Sequence, residues 1–496
     1  MKKLLSLILA LAMMMSIVAI AEEDWVKTPG EIAQWDREVD FLIVGYGLAG
    51  AAAAVEAHDI DPEADVLVLE KMPRSLAGGN SIASGQTFLV PAQNAVETLK
   101  TYLTNCNEPN DIPEEYMDWL CQGFADQLPW IQAVAASAGY EAGYVGGGPL
   151  KWGSMVVEFD TFEGSVFDGC SAHLRQIGST FENGGVWHCF DKAAAVRGIE
   201  VLYETPAVSL VQDPVTKEVF GVVARQADGT EIAIKSEKGV LLACGGFENN
   251  LEMQRDFHGM DVVYTAGTPG NTGDGIKMAV EVGAKEYYAE TMARMGGNSN
   301  WLNLLGLPTN YICVNGLGNR ILAEGCHYSE ETAALNASPS PYVYRVFDST
   351  NDTTVMEDLV AKGKLRKFAT IEEMCSGLDI DLEGLKATIE RYNSMTGKTD
   401  EDFGKDASLM LGFGEGPYYT IQVKTEILNT FGGLCVNANC EILDTEGNAI
   451  ENLYGAGETA NGNYFVKGYA YSGAAIQWAV SSGRIAARSI AAKLAQ

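Results

Sequence analysis

V-D-F-L-I-V-G-Y-G-L-A-G, residues 39–50, decides how the rest of the chain is read. Val39 to Val44 is a short apolar, β-branched run with the length of a buried parallel strand. Gly45, Gly47 and Gly50 follow at G-x-G-x-x-G spacing, and Ala51 to Ala57 predicts a helix packed closely on a sheet. Each glycine answers a separate demand: Gly45 the tight turn, Gly47 the approach of backbone to a pyrophosphate, Gly50 the contact of helix with strand. The N–H groups at the helix start would face the phosphates. A second apolar strand, Val66 to Leu69, ends in Glu70, 20 residues after Gly50, where a carboxylate can hold ribose hydroxyls. Gly78-Gly79-Asn80-Ser81 comes next. A lone glycine fingerprint says little. Strand, turn, helix, strand and acid in this order specify dinucleotide binding, and a ligand-free turn would leave Glu70 and G-G-N-S unexplained.

Ahead of this unit the chain opens M-K-K-L-L-S-L-I-L-A-L-A-M-M-M-S-I-V-A-I-A-E-E. Two lysines, a moderate apolar run and Ala19-Ile20-Ala21 before acids predict a secretory signal peptide over 1–21, cleaved after Ala21. The expected location is secreted or extracytoplasmic, in the cell envelope. No cysteine near that site supports a lipid anchor, and no later segment approaches the ~20 apolar residues of a membrane span. The formal charge is −32, which repels nucleic acid and anionic membrane. None of the ten cysteines forms C-x-x-C or C-x-x-C-H, which argues against c-type haem, a zinc ribbon or a thioredoxin-like site. Cys435 and Cys440 are spaced to allow a disulfide, but buried free thiols are the favoured reading. The five histidines are scattered and suggest no metal centre.

At 496 residues the chain is too long for one ordinary core. Residues 93–139 are helical in pattern. Gly185 to Arg197 predicts a helix, then Gly198 to Tyr203, Val208 to Val211, Val219 to Ala224 and Ile232 to Ile234 predict strands, with an Asp228-Gly229 hairpin turn between the last two. Gly239 to Ala243 predicts a further buried strand ending at Cys244-Gly245-Gly246-Phe247. From 288 to 428 the glycine-rich patterns stop, which predicts an inserted second domain. Nucleotide-domain character returns at 429–496, where a final helix opens on small residues and could aim N–H groups at a flavin edge.

Taken together, G-Y-G-L-A-G (45–50), E-K (70–71), G-G-N-S (78–81), A-C-G-G-F-E-N-N-L-E-M (243–253), N-T-G-D-G (271–275), N-T-F-G-G (429–433) and L-Y-G-A-G-E (453–458) resemble the flavoprotein superfamily of fumarate reductases, succinate dehydrogenases and 3-ketosteroid dehydrogenases. The resemblance runs from about 37 to the C-terminus. It implies an α/β fold, a Rossmann-like FAD-binding domain in two parts (22–287 and 429–496), and an α+β capping domain over 288–428. It also implies that FAD is the cofactor. The implied cofactor residues are Gly45, Gly47, Ala49 and Gly50, Glu70 on the adenosine ribose, Lys71, Gly79, Asn80 and Ser81 along the pyrophosphate and flavin, Gly85, Ala207, Ala243, Gly245, Asp274, Glu458, and Ala474 to Ile476 at the isoalloxazine. The implied chemistry moves a hydride between flavin N5 and one carbon of a C=C bond and a proton to or from its neighbour, with an adjacent carbonyl polarised.

Three positions depart from the fumarate reductase pattern. Tyr328 falls where that branch has its proton-donating arginine, after Arg320-Ile321-Leu322-Ala323-Glu324. Leu428-Asn429-Thr430 lacks the branch's histidine, and Lys467 to Gly473 lacks its arginine. Bidentate guanidinium clamps for a dianion are therefore missing. The replacements are similar to the ketosteroid branch: a tyrosine at 328, and Tyr469 with Gly473 before the last helix, where a hydroxyl and an N–H polarise a ketone. Phe88-Leu89-Val90-Pro91 also resembles that branch. Whether Tyr469 or Tyr471 does the polarising stays open. The expected substrate is a small unsaturated carbonyl compound, an enone or enoate such as a 3-ketosteroid or arylacrylate. Electrons would pass through a separate redox partner. Two alternatives stand beside this: a fumarate- or urocanate-type reductase using Lys467, Arg294 or Arg345, and a non-catalytic flavin electron-relay protein.

Overall fold

The computed structural model describes residues 24–84, 87–89, 96–107, 114–139, 143–144, 171–175, 185–259, 265, 267–288, 307–326, 328–340, 342–464 and 473–493. The expected signal peptide, Gly85, Arg294, Lys467, Tyr469 and Tyr471 lie outside these residues.

The chain starts with β1 (Val26–Lys27), β2 (Arg37–Val44), α1 (Leu48–Ile60) and β3 (Val66–Leu69). Two helices follow, Val96–Asn107 and α2 (Glu114–Ser137), then α3 (Gly185–Val196), β4 (Glu200–Leu202), β5 (Ala207–Gln212), β6 (Val219–Arg225), β7 (Glu231–Leu242) and α4 (Asp274–Glu281). Strand order in the main sheet is β1-β5-β6-β7-β2-β3-β4. β2 lies between two parallel neighbours, β7 and β3, which is why Phe41 to Val44, the part flanked by both, is apolar on both faces. α1 is buried from Leu48 to Ala57 because its run of alanines lets it lie close between sheet and neighbouring helix.

Strand β7 differs from expectation. Two strands were expected, at 232–234 and 239–243; one strand runs through. A bulge between Ser236 and Gly239 absorbs the polar K-S-E-K stretch, with Ser236 Oγ donating to the Gly239 carbonyl at 2.6 Å. The first half of β7 pairs with β6 across the Asp228-Gly229 turn, and the second half pairs with β13, described below.

Between the two parts of this sheet stands a separate four-stranded antiparallel sheet. Its elements are β8 (Ile312–Asn315), α5 (Tyr328–Ala337), β9 (Val343–Phe347), β10 (Arg366–Phe368), α6 (Ile371–Leu378), α7 (Leu382–Ser394) and β11 (Tyr418–Val423), with strand order β8-β9-β11-β10. α6 and α7 start where Thr370 and Asp381 accept the N–H groups of Glu373 and Gly384. The sheet is covered on both faces. Val346, Phe368 and Tyr418 pack with α6 and α7, while Val343, Phe347 and Tyr419 pack with Leu335 of α5.

The chain then returns to the main sheet as β12 (Glu441–Leu443) and β13 (Ala449–Gly455), with β13 parallel to β7, and ends in α8 (Ala474–Ala492). α8 packs against α1 at Gly483, where a Cβ would come within 2.2 Å of the Ala49 carbonyl. Glu56 of α1 accepts from Arg484 and Arg488 of α8. Cys435 and Cys440 are buried free thiols. Among the described residues no helix is long and apolar enough to cross a membrane.

Candidate active site

The C-terminal ends of β2, β3, β7 and β13 meet in one crevice, the place where open parallel sheets hold ligands. Backbone bonds lock the ends together: Gly45 N–H to Leu69 C=O at 2.7 Å, Ala243 N–H to Val44 C=O at 2.8 Å, and Ala456 N–H to Leu242 C=O at 3.0 Å.

The three fingerprint glycines differ in their surroundings. Gly45 has φ +104°, and a Cβ there would sit 2.2 Å from the Ala243 carbonyl oxygen. At Gly50 a Cβ would fall 2.0 Å from the Gly45 carbonyl oxygen. At Gly47 the nearest atom would be the Gly78 carbonyl oxygen, 3.9 Å away. Two glycines are therefore required by the fold itself, and the third faces open space at the N-terminus of α1. There the Leu48 N–H donates to Ser81 Oγ at 3.3 Å, and the N-cap residue, Gly47, has no side chain of its own to fill the cradle. An open cradle of glycines against a helix start suits a pyrophosphate.

Glu70 closes one end. Its carboxylate is buried and accepts the N–H groups of Tyr46 at 3.0 Å and Met72 at 2.7 Å. Burial pushes its pKa up, while these two bonds resist. Lys71 and Asp274, both expected near the cofactor, pair with one another at 2.6 Å, and Thr272 Oγ1 completes the triad.

The centre of the crevice holds a feature that sequence reading missed. Asn80 Nδ2 donates to both Glu248 Oε1 (2.7 Å) and Glu458 Oε2 (3.0 Å). Asn271 Nδ2 donates to the same two oxygens at 2.9 and 3.2 Å. The Asn80 carbonyl in turn accepts the Thr268 N–H at 2.9 Å, which fixes that amide's orientation. Fully buried Glu248 and half-buried Glu458, whose Oε1 is itself buried, thus share two amide donors, and no cationic side chain pairs with either among the described residues. Burial raises both pKa values, and the charge of Glu248 raises Glu458 further. Two carboxylates this close favour sharing a proton. Glu248 lies just past a strand end in a doubly wound sheet, which is the one signal that could have flagged it.

Around this pair, Gly245 (φ +78°) leaves no room for a Cβ, which would sit 2.3 Å from Asn271 Oδ1. The 457–459 turn is tied to α8: Trp478 Nε1 donates to the Gly457 carbonyl at 3.0 Å, and the Gly457 N–H donates to Ser482 Oγ at 2.9 Å. Gly473, Ala474 and Ile476 form the buried start of α8, with Gly473 at φ +94° as its N-cap. Ala207 opens β5 and is buried.

In the inserted sheet, Tyr328 opens α5. Buried ion pairs hold the segments on either side. Before it, Arg320 donates to both oxygens of Glu324 (2.8 and 2.7 Å) and to Asp400 (2.9 Å), and Lys405 reaches Glu324 at 3.2 Å. After it, Glu331 accepts from Arg345 Nη2 at 2.7 Å, with the Arg345 guanidinium 4.7 Å over the Tyr311 ring. Arg345, a candidate clamp in the small-carboxylate alternative, is thus engaged inside this sheet's packing.

A family model described as an FAD binding domain matches residues 40–474. The chain belongs to that family. FAD is its cofactor, and it is an FAD-dependent oxidoreductase, as the motifs led one to expect. It is 28% identical over 451 residues to urocanate reductase of Eggerthella lenta, covering 85% of this chain and 70% of that protein. To digoxin reductase of the same bacterium it is 27% identical over 525 residues, covering 92% and 88%. Its fold is similar to that of 3-ketosteroid-Δ4-(5α)-dehydrogenase from Rhodococcus jostii RHA1, with a TM-score of 0.69 at 24% identity over 94% of this chain and 99% of that one. The crevice suits the cofactor: the Gly47 cradle is open, and buried Glu248 Oε2 and Asn461 Oδ1 have no partner among the described residues.

Proposed function

We propose that this protein is an exported flavin enzyme that adds hydrogen across, or removes it from, a C–C bond conjugated to a carbonyl in an enone or enoate. The observation that carries the reading is the engagement of the arginines around position 328. Arg320 and Arg345 are each neutralised by buried carboxylates, so a substrate dianion would have to compete with Glu324, Asp400 and Glu331 for them. The residue that opens α5 is a tyrosine, suited to a neutral or monoanionic substrate.

In this reading Gly47 and the start of α1 hold the pyrophosphate, Glu70 the ribose, Asn80 and Glu458 the middle of the cofactor, and the start of α8 the flavin edge. Bound FAD supplies hydride transfer at N5. The Tyr328 phenol, with a reference pKa of about 10, is neutral at pH 7 and delivers or removes the proton at the neighbouring carbon. Tyr469 and the Gly473 N–H draw charge onto the substrate carbonyl oxygen. The inserted sheet, from about 288 to 428, serves as a cap that excludes water. Electrons pass through a separate redox partner. Residues 1–21 direct export.

A second reading, a small-carboxylate reductase, draws support from the relative named urocanate reductase. Viologen-dye oxidation with a 3-ketosteroid, an arylacrylate, urocanate and fumarate separates the two. Dye oxidation by the first pair alone supports the proposal; oxidation by fumarate or urocanate transfers support to the second reading. Silence with all four favours the electron-relay alternative. Tyr328→Phe is expected to retain flavin and lose about 10²-fold or more in turnover. Unchanged turnover removes Tyr328 from the mechanism.

A further inference from the structure

On the face of the inserted sheet opposite α5 lies a pocket of about 470 Å³ that the oxidoreductase reading does not use. Strand register explains its make-up. Thr420, Gln422 and Lys424 alternate along β11 and its extension, so they point to one side. Tyr344 of β9 pairs with Gln422, and Arg366 of β10 pairs with Thr420, which brings both to that side. The neighbouring residues Val343, Arg345 and Phe347 point the other way, toward α5. The pocket is therefore separated from Tyr328 by the thickness of the sheet.

Its chemistry runs against that of the whole molecule. Lys364, Arg366 and Lys424 converge on it, and Glu426 is the one carboxylate among its lining residues, in a chain of net charge −32. Lys364 and Arg366 make no ion pair among the described residues. Arg366 is nonetheless held in place, since Nη2 donates to the Gly377 carbonyl at 3.1 Å and the guanidinium lies 5.0 Å over the Phe368 ring. Tyr344 and Leu378 supply an apolar wall. Thr420 is buried (2% exposed), and its hydroxyl has no hydrogen-bond partner among the described residues. A buried hydroxyl left unpaired is destabilising, and a ligand oxygen accepting its proton would relieve that.

We propose that this pocket is a binding site for a small organic anion, a carboxylate attached to an apolar or aromatic body. Lys364 and Arg366 take the carboxylate, Thr420 gives it a hydrogen bond from the floor, and Tyr344 and Leu378 hold the body. The volume lies within the range of small-molecule sites.

Calorimetric titration of the flavin-loaded protein with phenylacetate, and with neutral phenylacetamide, tests this. Phenylacetate is expected to bind saturably and phenylacetamide about tenfold more weakly. The exposed double substitution Lys364→Gln/Arg366→Gln is expected to lower phenylacetate affinity about tenfold, with flavin absorbance and dye-linked turnover unchanged. Equal binding of acid and amide, wild-type affinity in the double variant, or no saturable heat up to about 10 mM would each overturn the proposal. Binding at the flavin crevice alone falls under the second of these outcomes, because the double substitution leaves the crevice intact.

Discussion

Gly47 and Gly50 stand three residues apart in the same fingerprint, and the structure separates what a methyl group would do at each. At Gly50 the added Cβ would lie 2.0 Å from the Gly45 carbonyl oxygen and 3.3 Å from Ile43 Cγ2, where 3.4–4 Å is ordinary contact. The obstructing atom is backbone at the strand end, so α1 must move by more than an ångström against both the sheet and α8. Overpacking of this kind costs about 1–3 kcal/mol, and α1, buried along most of its length, has no free side to shift toward. At Gly47 the nearest atom is 3.9 Å away and φ is −73°, so alanine fits without strain. Losing glycine at an N-cap costs up to ~1 kcal/mol, and stiffening the unfolded chain returns about 0.4–1 kcal/mol. Gly47→Ala is therefore expected to leave the stability of the flavin-free protein within about 1 kcal/mol of wild type while its methyl group occupies the cradle proposed for the pyrophosphate. FAD affinity should fall about 10²-fold, close to 3 kcal/mol. Urea denaturation of the flavin-stripped variants and FAD titration by fluorescence quenching measure the two quantities separately. The reasoning fails if Gly47→Ala binds FAD like wild type, since the cofactor would then not pass that point. It also fails if Gly50→Ala is as stable as wild type, since the contact between helix and strand would then be slack.

The Glu248–Glu458 pair predicts a pH dependence. Both folded-state pKa values are raised by burial, so between the unfolded value of 4.5 and the folded values the native protein holds more protons than the unfolded chain. Stability then falls as pH rises through that window, by about 1.4 kcal/mol for each pKa unit of elevation. Glu248→Gln removes one titrating group and the repulsion on the other, so its stability should decline less between about pH 5 and 8; parallel pH curves for variant and wild type would refute the pairing. At the other buried pair, Arg345→Met strands the Glu331 carboxylate and should cost about 3–5 kcal/mol in denaturant unfolding. Arg345→Met/Glu331→Leu should recover most of that loss, and a single variant as stable as wild type would mean that the pair is solvated.

How far the fold could be read in advance follows from how local each determinant is. Gly45, Gly50 and Glu70 are legible because a strand, a turn and a helix of fixed dimensions impose their spacing within some thirty residues; the two glycines meet the backbone their positions demand, and Glu70 directly follows β3. The polar K-S-E-K stretch misled because a bulge can absorb it without ending a strand, and nothing local distinguishes that from a turn. The central carboxyl pair was out of reach for a different reason: Asn80 meets Glu458 across 378 residues and Asn271 meets it across 187. The family motifs place Asn80 and Glu458 along one cofactor, but no period or spacing pairs them with each other or with Glu248; only the order in which β2, β7 and β13 pair brings them together. The inserted sheet carries the same lesson into chemistry. V-Y-R-V-F at 343–347 shows no clean polar alternation because both faces of β9 are covered, so the sequence does not say which face Arg345 takes. The strand pairing does. It turns Arg345 toward Glu331 on the α5 side and Tyr344 toward the cationic pocket on the other, so one residue step along β9 separates the helix that bears the proposed acid from the proposed anion site.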